Sequence, residues 1–402
     1  MRLARLDPEA PSPTTGPIAG PTTDPTPARL RLGRFELCAK LADGGMATVN
    51  VAIVREGADS GRVLAVKMIR DEFARSTEFA AMFLDEARIV AGLRHPNVLR
   101  YDELGQGGGY AFIAMELLYG QSLWSVWERC RARSVRMRYP TIAWIGARVA
   151  DGLHYAHEAT DAASRPLDIV HRDVNPANVF LTYEGEVKVI DFGLAKAKNR
   201  ASRTAAGVIK GKVAYMSPEQ AVGGALDRRS DVFALGTTLW ELACDRRLFK
   251  HVDDLETLRR VNAAAVPDPT ALVDGFPPKL WRILERALAR DPGNRYPTAA
   301  ALARDLDEFA GDGPDASGQR PLAEVLDALY PGDALRQQTW VSEVTAPGSV
   351  GRAPLKDRST FSGPDEPSAA PGPVRRAATL WRIAAVIVGA VALATFIALA
   401  LR

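Results

Sequence analysis

The 402-residue chain is 47% hydrophobic and sets 51 Lys and Arg against 48 Asp and Glu, a formal net charge of +3. That supplies enough apolar residue for a sizeable core and no excess of positive charge to suggest nucleic acid as a partner. Three cysteines, Cys38, Cys130 and Cys244, stand far apart with no CxxC or Cys/His pattern; this argues against a disulfide framework or zinc site and fits a reducing, cytoplasmic setting.

In chain order, residues 1–33 run through PEAPSPTTGPIAGPTTDPTPAR, whose Pro, Thr and Gly oppose both helix and ladder pairing. This segment is expected to be a disordered tail, without the basic start and apolar run of a signal peptide. From Arg34 come short strand-like runs, RFELCAKL, ATVNVAIV and RVLAVKMI. From about Glu78 periodic helical patterns continue to about Ala310. The order predicts one α+β domain over 34–310, a small β-rich lobe followed by a larger helical one. Residues 311–382 are expected to be mostly disordered linker, rich in Gly, Pro and Ser, with LAEVLDALY as a candidate short helix. Residues 383–401 contain no charge and would span about 28 Å as a helix at ~1.5 Å per residue, which suits a bilayer core. Arg375, Arg376 and Arg382 precede this expected transmembrane helix and only Arg402 follows it, so the positive-inside tendency places the preceding domain in the cytoplasm.

Two constellations carry chemistry. Phe79, Met82, Phe83, Val90 and Leu93 share a helical face with Glu86, whose carboxylate needs a partner to offset its desolvation. Lys67, in the apolar strand VLAVKMI, is the natural candidate, the alternative being two separate snorkelling side chains. Further on, HRDVNPANV (171–179) leads into NVFLTYEGEVKVID, which reads as a hairpin with strands at Val179 to Thr182 and Glu186 to Ile190 and a turn at Glu184-Gly185. Asn178 and Asp191 are equally far from that turn. Folding brings together an amide oxygen and a carboxylate able to hold a hard cation such as Mg²⁺ with help from phosphates. Plain turn or cap chemistry accounts for either residue taken alone.

In sum, VLAVK with Lys67, DEA with Glu86, HRD with Asp173, DFG with Asp191, SPE with Glu219, SDVFALG with Asp231 and DPGNR with Arg295 occur in that order. The chain therefore resembles the protein kinases, specifically the bacterial eukaryotic-type (Hanks-type) serine/threonine kinases, over about Arg34 to Ala310. The resemblance implies a bilobal kinase fold and transfer of the γ-phosphate of ATP, with Mg²⁺ or Mn²⁺, to protein hydroxyls. Lys67 would hold the α/β-phosphates and pair with Glu86. Asn178 and Asp191 would bind the metal, and Asp173 would orient the acceptor hydroxyl and take its proton. Met115, Glu116 and Leu117 would form the gatekeeper and hinge, with Leu41, Val49 and Ala65 lining the adenine pocket. Glu219 with Arg295, and Asp231, would be structural. Protein substrates, self-association for trans-autophosphorylation and signalling at the membrane follow as expectations.

The chain departs from the family pattern in two places. The phosphate-covering loop is Leu41, Ala42, Asp43, Gly44, Gly45, Met46, Ala47, Thr48 and Val49, with Ala42 and Ala47 where the family has glycine. A stiffer loop and weaker ATP binding are expected from that change. Asn175 stands where the family has a catalytic-loop lysine, and Lys212 where it has a threonine. One expectation is that Lys212 reaches across Asp173 to restore the lost charge while Asn175 supplies threonine's hydrogen bond; the other is that Lys212 belongs to a solvated basic loop. Between Asp191 and Glu219 the basic run Lys196, Lys198, Arg200, Arg203, Lys210 and Lys212 includes no acidic residue, and with Arg172 it could receive a phosphate on Ser202 or, first choice, Thr204. The competing functional class is a catalytically impaired pseudokinase acting as a membrane-tethered, ATP-binding scaffold.

Overall fold

The computed structural model describes residues 29–44, 47–70, 83, 84, 87, 88, 90–192, 212–311 and 318–349, with Lys212 described by its backbone alone. Period-two patterning builds the first lobe. Strands β1 (Arg31–Leu32), β2 (Phe35–Asp43), β3 (Ala47–Val54), β4 (Val63–Ile69), β5 (Tyr101–Gly107) and β6 (Tyr110–Met115) form one antiparallel sheet in the order β1-β2-β3-β4-β6-β5. Side chains alternate between its faces. Ala52, Val54, Leu64, Val66 and Ala114 pack on one side with Leu32, Phe35 and Phe112. Val49, Val51, Ile53, Ala65, Ile113 and Met115 face the main core. The β5–β6 pair lies inside the stretch whose pattern suggested helix from Glu78 onward. YDELGQGGGYAFIAM turns at Gly107 to Tyr110 and pairs with β4, a long-range partner that local periodicity does not reveal.

Strand β7 (Gly120–Ser122) leads into the helical lobe, where β7, β8 (Val179–Thr182) and β9 (Val187–Val189) form a second sheet. Helix α1 (Leu123–Ala132) starts where the Ser122 hydroxyl accepts the Ser125 N–H, and α2 (Tyr139–His157) starts with proline in its first turn. A short α3 (Pro218–Ala221) precedes α4 (Arg228–Cys244), capped by Asp227 and buried continuously from Ser230 to Cys244. A helix buried on every side is the centre of its lobe. Around it lie α5 (Asp254–Ala263), α6 (Pro278–Ala287) and α7 (Ala299–Gly311), with α7 along α2.

Two expectations need correction. The hairpin pairs Val179 with Val189 and Leu181 with Val187, so Asn178 lies opposite Ile190, one residue short of Asp191. Its loop has three residues, not two: Thr182 N–H bonds Glu186 C=O, and Gly185 adopts φ +84°, the left-handed position such loops give to glycine. The second correction concerns the linker expected over 311–382. Over 318–349 the candidate helix LAEVLDALY forms as α8 (Gln319–Leu329), and a second helix that was not expected, α9 (Asp333–Thr345), follows after a turn at Gly332 with φ +74°. Leu322, Leu326 and Leu329 on α8, and Trp340, Val341 and Val344 on α9, join the main core. Each such side chain buried contributes about 1.5–3 kcal/mol, which offsets the ordering of a segment that composition marks as linker. Among the described residues no helix is long and apolar enough to cross a membrane; residues 383–401, the 1–28 part of the tail and 350–382 lie outside them.

Candidate active site

The catalytic loop is built on a buried carboxylate. Asp231, in the first turn of α4, is fully buried and accepts hydrogen bonds from the His171 and Arg172 N–H groups, both at 2.8 Å, and faces His157 Nε2 at 2.8 Å. Burial pushes its carboxyl up, but the His157 hydrogen bond and charge, His171 and the Arg172 N–H together hold it below the ordinary carboxylate range. The helix N-terminus also favours the anion. This grip keeps Arg172 at φ +67°, a left-handed conformation costing about 1–2 kcal/mol for a side chain other than glycine. From the far side Gln220 of α3 donates to Arg172 C=O at 2.9 Å.

With Arg172 bent, His171 Nδ1 accepts the Asp173 N–H at 3.2 Å, so its other nitrogen, Nε2, carries the proton that bonds Ile190 C=O at 3.0 Å. One imidazole thereby joins the loop to the end of β9. Asn175, 3% exposed, uses both ends of its amide: its Nδ2 donates to the Asp173 carboxylate and to Asp173 C=O, each at 2.9 Å, and its oxygen accepts the Ala177 N–H that opens the 3-10 turn Pro176–Asn178. A lysine could not accept that N–H. Asn175 is thus both a cap and a clamp on the carboxylate of Asp173.

Asn178 spends its amide donor on Asp173 C=O at 2.6 Å, which leaves the amide oxygen as its contribution to a cation. The Ile190 N–H bonds Asn178 C=O at 2.9 Å and brings Asp191 alongside. Asp191 is held at φ +64°, and its carboxylate lies 2.5 Å from Lys67 Nζ on β4. Two hard oxygen donors with an ammonium beside them suit a divalent cation carried on phosphates. Among the described residues no three His, Cys, Asp or Glu side chains gather to hold a metal by themselves. The expected Lys67–Glu86 pair cannot be described, because Glu86 lies outside the described residues.

Above Asp191 is a cleft of about 470 Å³, part of it open to solvent, lined by Leu41, Val49, Ala65, Lys67, Met115, Glu116 and Leu117 from the expected set. Leu99, Leu118, Phe180 and Ile190 complete the lining and went unrecognised in the sequence, where they are ordinary apolar strand and loop residues. The Glu116 side chain accepts the Arg100 N–H at 2.8 Å and lies 3.4 Å from the buried Lys188 of β9, a hinge brace also missed. Of the phosphate loop, Ala42 pairs with Val49, Asp43 with Thr48 and Ala47 with Ile69, so both alanines occupy strand positions at no conformational cost. Gly44 N–H bonds Ala47 C=O at 3.0 Å; Gly45 and Met46 lie outside the described residues. So do Ser202, Thr204 and the Lys212 side chain.

Farther out, Arg295, fully buried, makes two 2.8 Å hydrogen bonds to Glu219, which also accepts from Ser230. Burial opposes ionisation of Glu219, yet these bonds pull its carboxyl down to about 2. They anchor α3, and with it Gln220, beneath the catalytic loop.

A strand lobe over a helical lobe, with a cleft between them and lysine, carboxylates and amide gathered beside it, defines a bilobal phosphotransferase. The family described as the protein kinase domain matches residues 35–306, and the chain belongs to it. It is similar to the tyrosine-protein kinase MasK of Myxococcus xanthus, 37% identical over 331 residues, a likeness longer than the kinase match itself. It is also similar to the serine/threonine-protein kinase PknL of Mycobacterium tuberculosis, 35% identical over 291 residues. These cover 80% and 72% of this chain, which spans 51% of MasK and 69% of PknL. The crystal structure of the M. tuberculosis PknI kinase domain shares the fold, with a TM-score of 0.53 at 24% identity, covering 71% of this chain and 98% of that one. The domain is thus a bacterial kinase domain of eukaryotic type.

Proposed function

We propose that this chain transfers the γ-phosphate of ATP to serine or threonine hydroxyls of proteins. What carries the reading is the retention, around one cleft, of Lys67, Asp173, Asn178 and Asp191, each held by contacts that fix its functional atoms. Lys67 leaves Asp191 in part to meet the α/β-phosphates. Asn178 and Asp191 would hold a Mg²⁺ ion, which would neutralise charge on the transferring group. Asp173, its carboxylate clamped by Asn175, accepts the proton of the acceptor hydroxyl as that oxygen bonds phosphorus and the bond to the bridging oxygen of ADP breaks. A pseudokinase scaffold has no physical need for all four groups in place. Incubating the full chain with labelled ATP, Mg²⁺ and a generic protein substrate tests the reading: Asp173→Ala should abolish labelling, and equal labelling by both proteins would remove the claim.

A tyrosine acceptor is the second reading, favoured by the name of MasK and by the lysine missing at Asn175. Phosphoamino-acid analysis of the labelled substrate separates the two. We also infer that residues 383–401 anchor the domain to the cytoplasmic face of a membrane, and that Thr204 is autophosphorylated, the chains associating to do so. Membrane flotation with and without residues 383–401, and phosphopeptide mapping against Asp173→Ala protein, test these.

A further inference from the structure

The two helices beyond the kinase match do not pack on one lobe only. At one end α8 is fastened to the helical lobe: Tyr330 hydroxyl donates to Ser125 C=O at 2.9 Å, Arg133 donates to Ala328 C=O at 2.7 Å, and Gln319 donates to Glu184 C=O at 3.1 Å. The fit at the β8–β9 turn is close, since a Cβ on Gly185 would fall 2.0 Å from Gln319 C=O. At the other end α9 packs on β2 and β3 of the strand lobe. There Arg29 donates to Val344 C=O at 2.8 Å and Ser349 C=O at 2.7 Å while pairing with Glu36 of β2, which also holds Arg55.

Between these ends stands Gln337, 4% exposed. Its Oε1 accepts the Gly120 N–H at 3.2 Å; its Nε2 reaches Gly120 C=O at 3.4 Å and donates to Tyr183 hydroxyl at 2.9 Å, which in turn accepts from Gln121. Gly120 comes two residues after Leu118, the last hinge residue lining the cleft, and it packs closely on β8, where an added Cβ would lie 2.1 Å from Leu181 C=O. The Gln337 amide thus acts as one more strand partner on the free edge of β7. A glutamine buried in an otherwise apolar stripe, with Trp340, Val341 and Val344, is retained at a desolvation cost unless its bonds are made.

We propose that α8 and α9 form a strap across the two lobes that sets their opening for nucleotide, with Gln337 the positioning residue at the hinge. The strap ties the spacing of the lobes to the chain that follows it, so tension or docking beyond residue 349 reaches the ATP cleft. The proposal rests on the kinase reading, and nucleotide binding separates the two: binding reports on the strap even if no phosphate is transferred.

The test uses the full chain and a fluorescent ATP analogue with Mg²⁺, alongside steady-state transfer. Gln337→Ala should weaken analogue binding and raise the KM for ATP roughly five-fold, the size expected from one lost pair of net hydrogen bonds, with kcat within about two-fold. Gln337→Glu, which keeps an acceptor for the Gly120 N–H, should fall between. Residues that only stabilise the fold would lower the active fraction and leave affinity alone, so unchanged affinity in folded Gln337→Ala protein overturns the role of Gln337. Arg29→Ala weakens the strand-lobe tether, and Tyr330→Phe removes one of the three hydrogen bonds of the helical-lobe tether. Since both act on the same bridge, the double variant should lose less affinity than the sum of the two single losses. Additive losses would overturn the strap.

Discussion

The catalytic loop and the hinge are both held by buried hydrogen bonds, yet by different kinds of anchor. Asp231 sits at the core of its lobe and grips His171 and Arg172 with charge, inside that one lobe. Gln337 is neutral, comes from a helix outside the family match and grips a segment joining two bodies. A charged anchor within one lobe fixes the position of reacting groups; a neutral one between lobes fixes an angle. Chemistry should be sensitive to the first and affinity to the second.

The largest effect should come from Asp173→Ala, lowering kcat by about 10²–10⁴-fold with little change in affinity for ATP. Stability should respond most to Glu219→Ala, which leaves the fully buried Arg295 unpaired at a cost of about 3–5 kcal/mol, read by denaturant unfolding. The same pair sets a pH limit. The Glu219 carboxyl is depressed from the ordinary 4.5 to about 2, so its contribution is full above 4.5 and is lost as pH falls toward 2; a variant lacking Glu219 should show a flatter acid limb. Asn175→Ala removes a cap and the clamp on Asp173 and should lower kcat about ten-fold with KM for ATP nearly unchanged, the converse of Gln337→Ala. If Asn175→Ala moved KM instead, the division between the two anchors would fail. Smallest should be Ala47→Gly: the residue is already in a strand, so glycine should change ATP affinity by less than about two-fold and cost at most ~1 kcal/mol of stability.

The cleft was legible because its residues are irreplaceable in type. Only an ammonium at Lys67 and oxygen donors at Asn178 and Asp191 suit phosphates and a hard cation, and such residues stand out from apolar strands. Phe180, Leu99, Leu118 and Ile190 line the same cleft and could not be told from core. The pairing of Asn178 with Asp191 came out one residue adrift, because Gly185 suits a two-residue or a three-residue loop and only the Thr182–Glu186 pairing decides between them. The alanines of the phosphate loop suggested a handicap by comparison with glycine, and the strand pairing of Ala42 and Ala47 removes its conformational part.

Helix α9 shows most clearly where sequence stops. Gln337, Trp340, Val341 and Val344 have helical spacing, a signal that was present, but Gly and Pro on either side gave the segment the look of a linker. What the sequence by itself determined is residue type: Lys67, Asp173, Asn178 and Asp191 in family order, the types that phosphate and cation chemistry calls for. What only the tertiary structure decided is who holds them. Hydrogen-bond partners such as His157 for Asp231, or Gln337 for Gly120, are set by distances between elements far apart in the chain, and an amide or imidazole in sequence carries no mark of the backbone group it will meet.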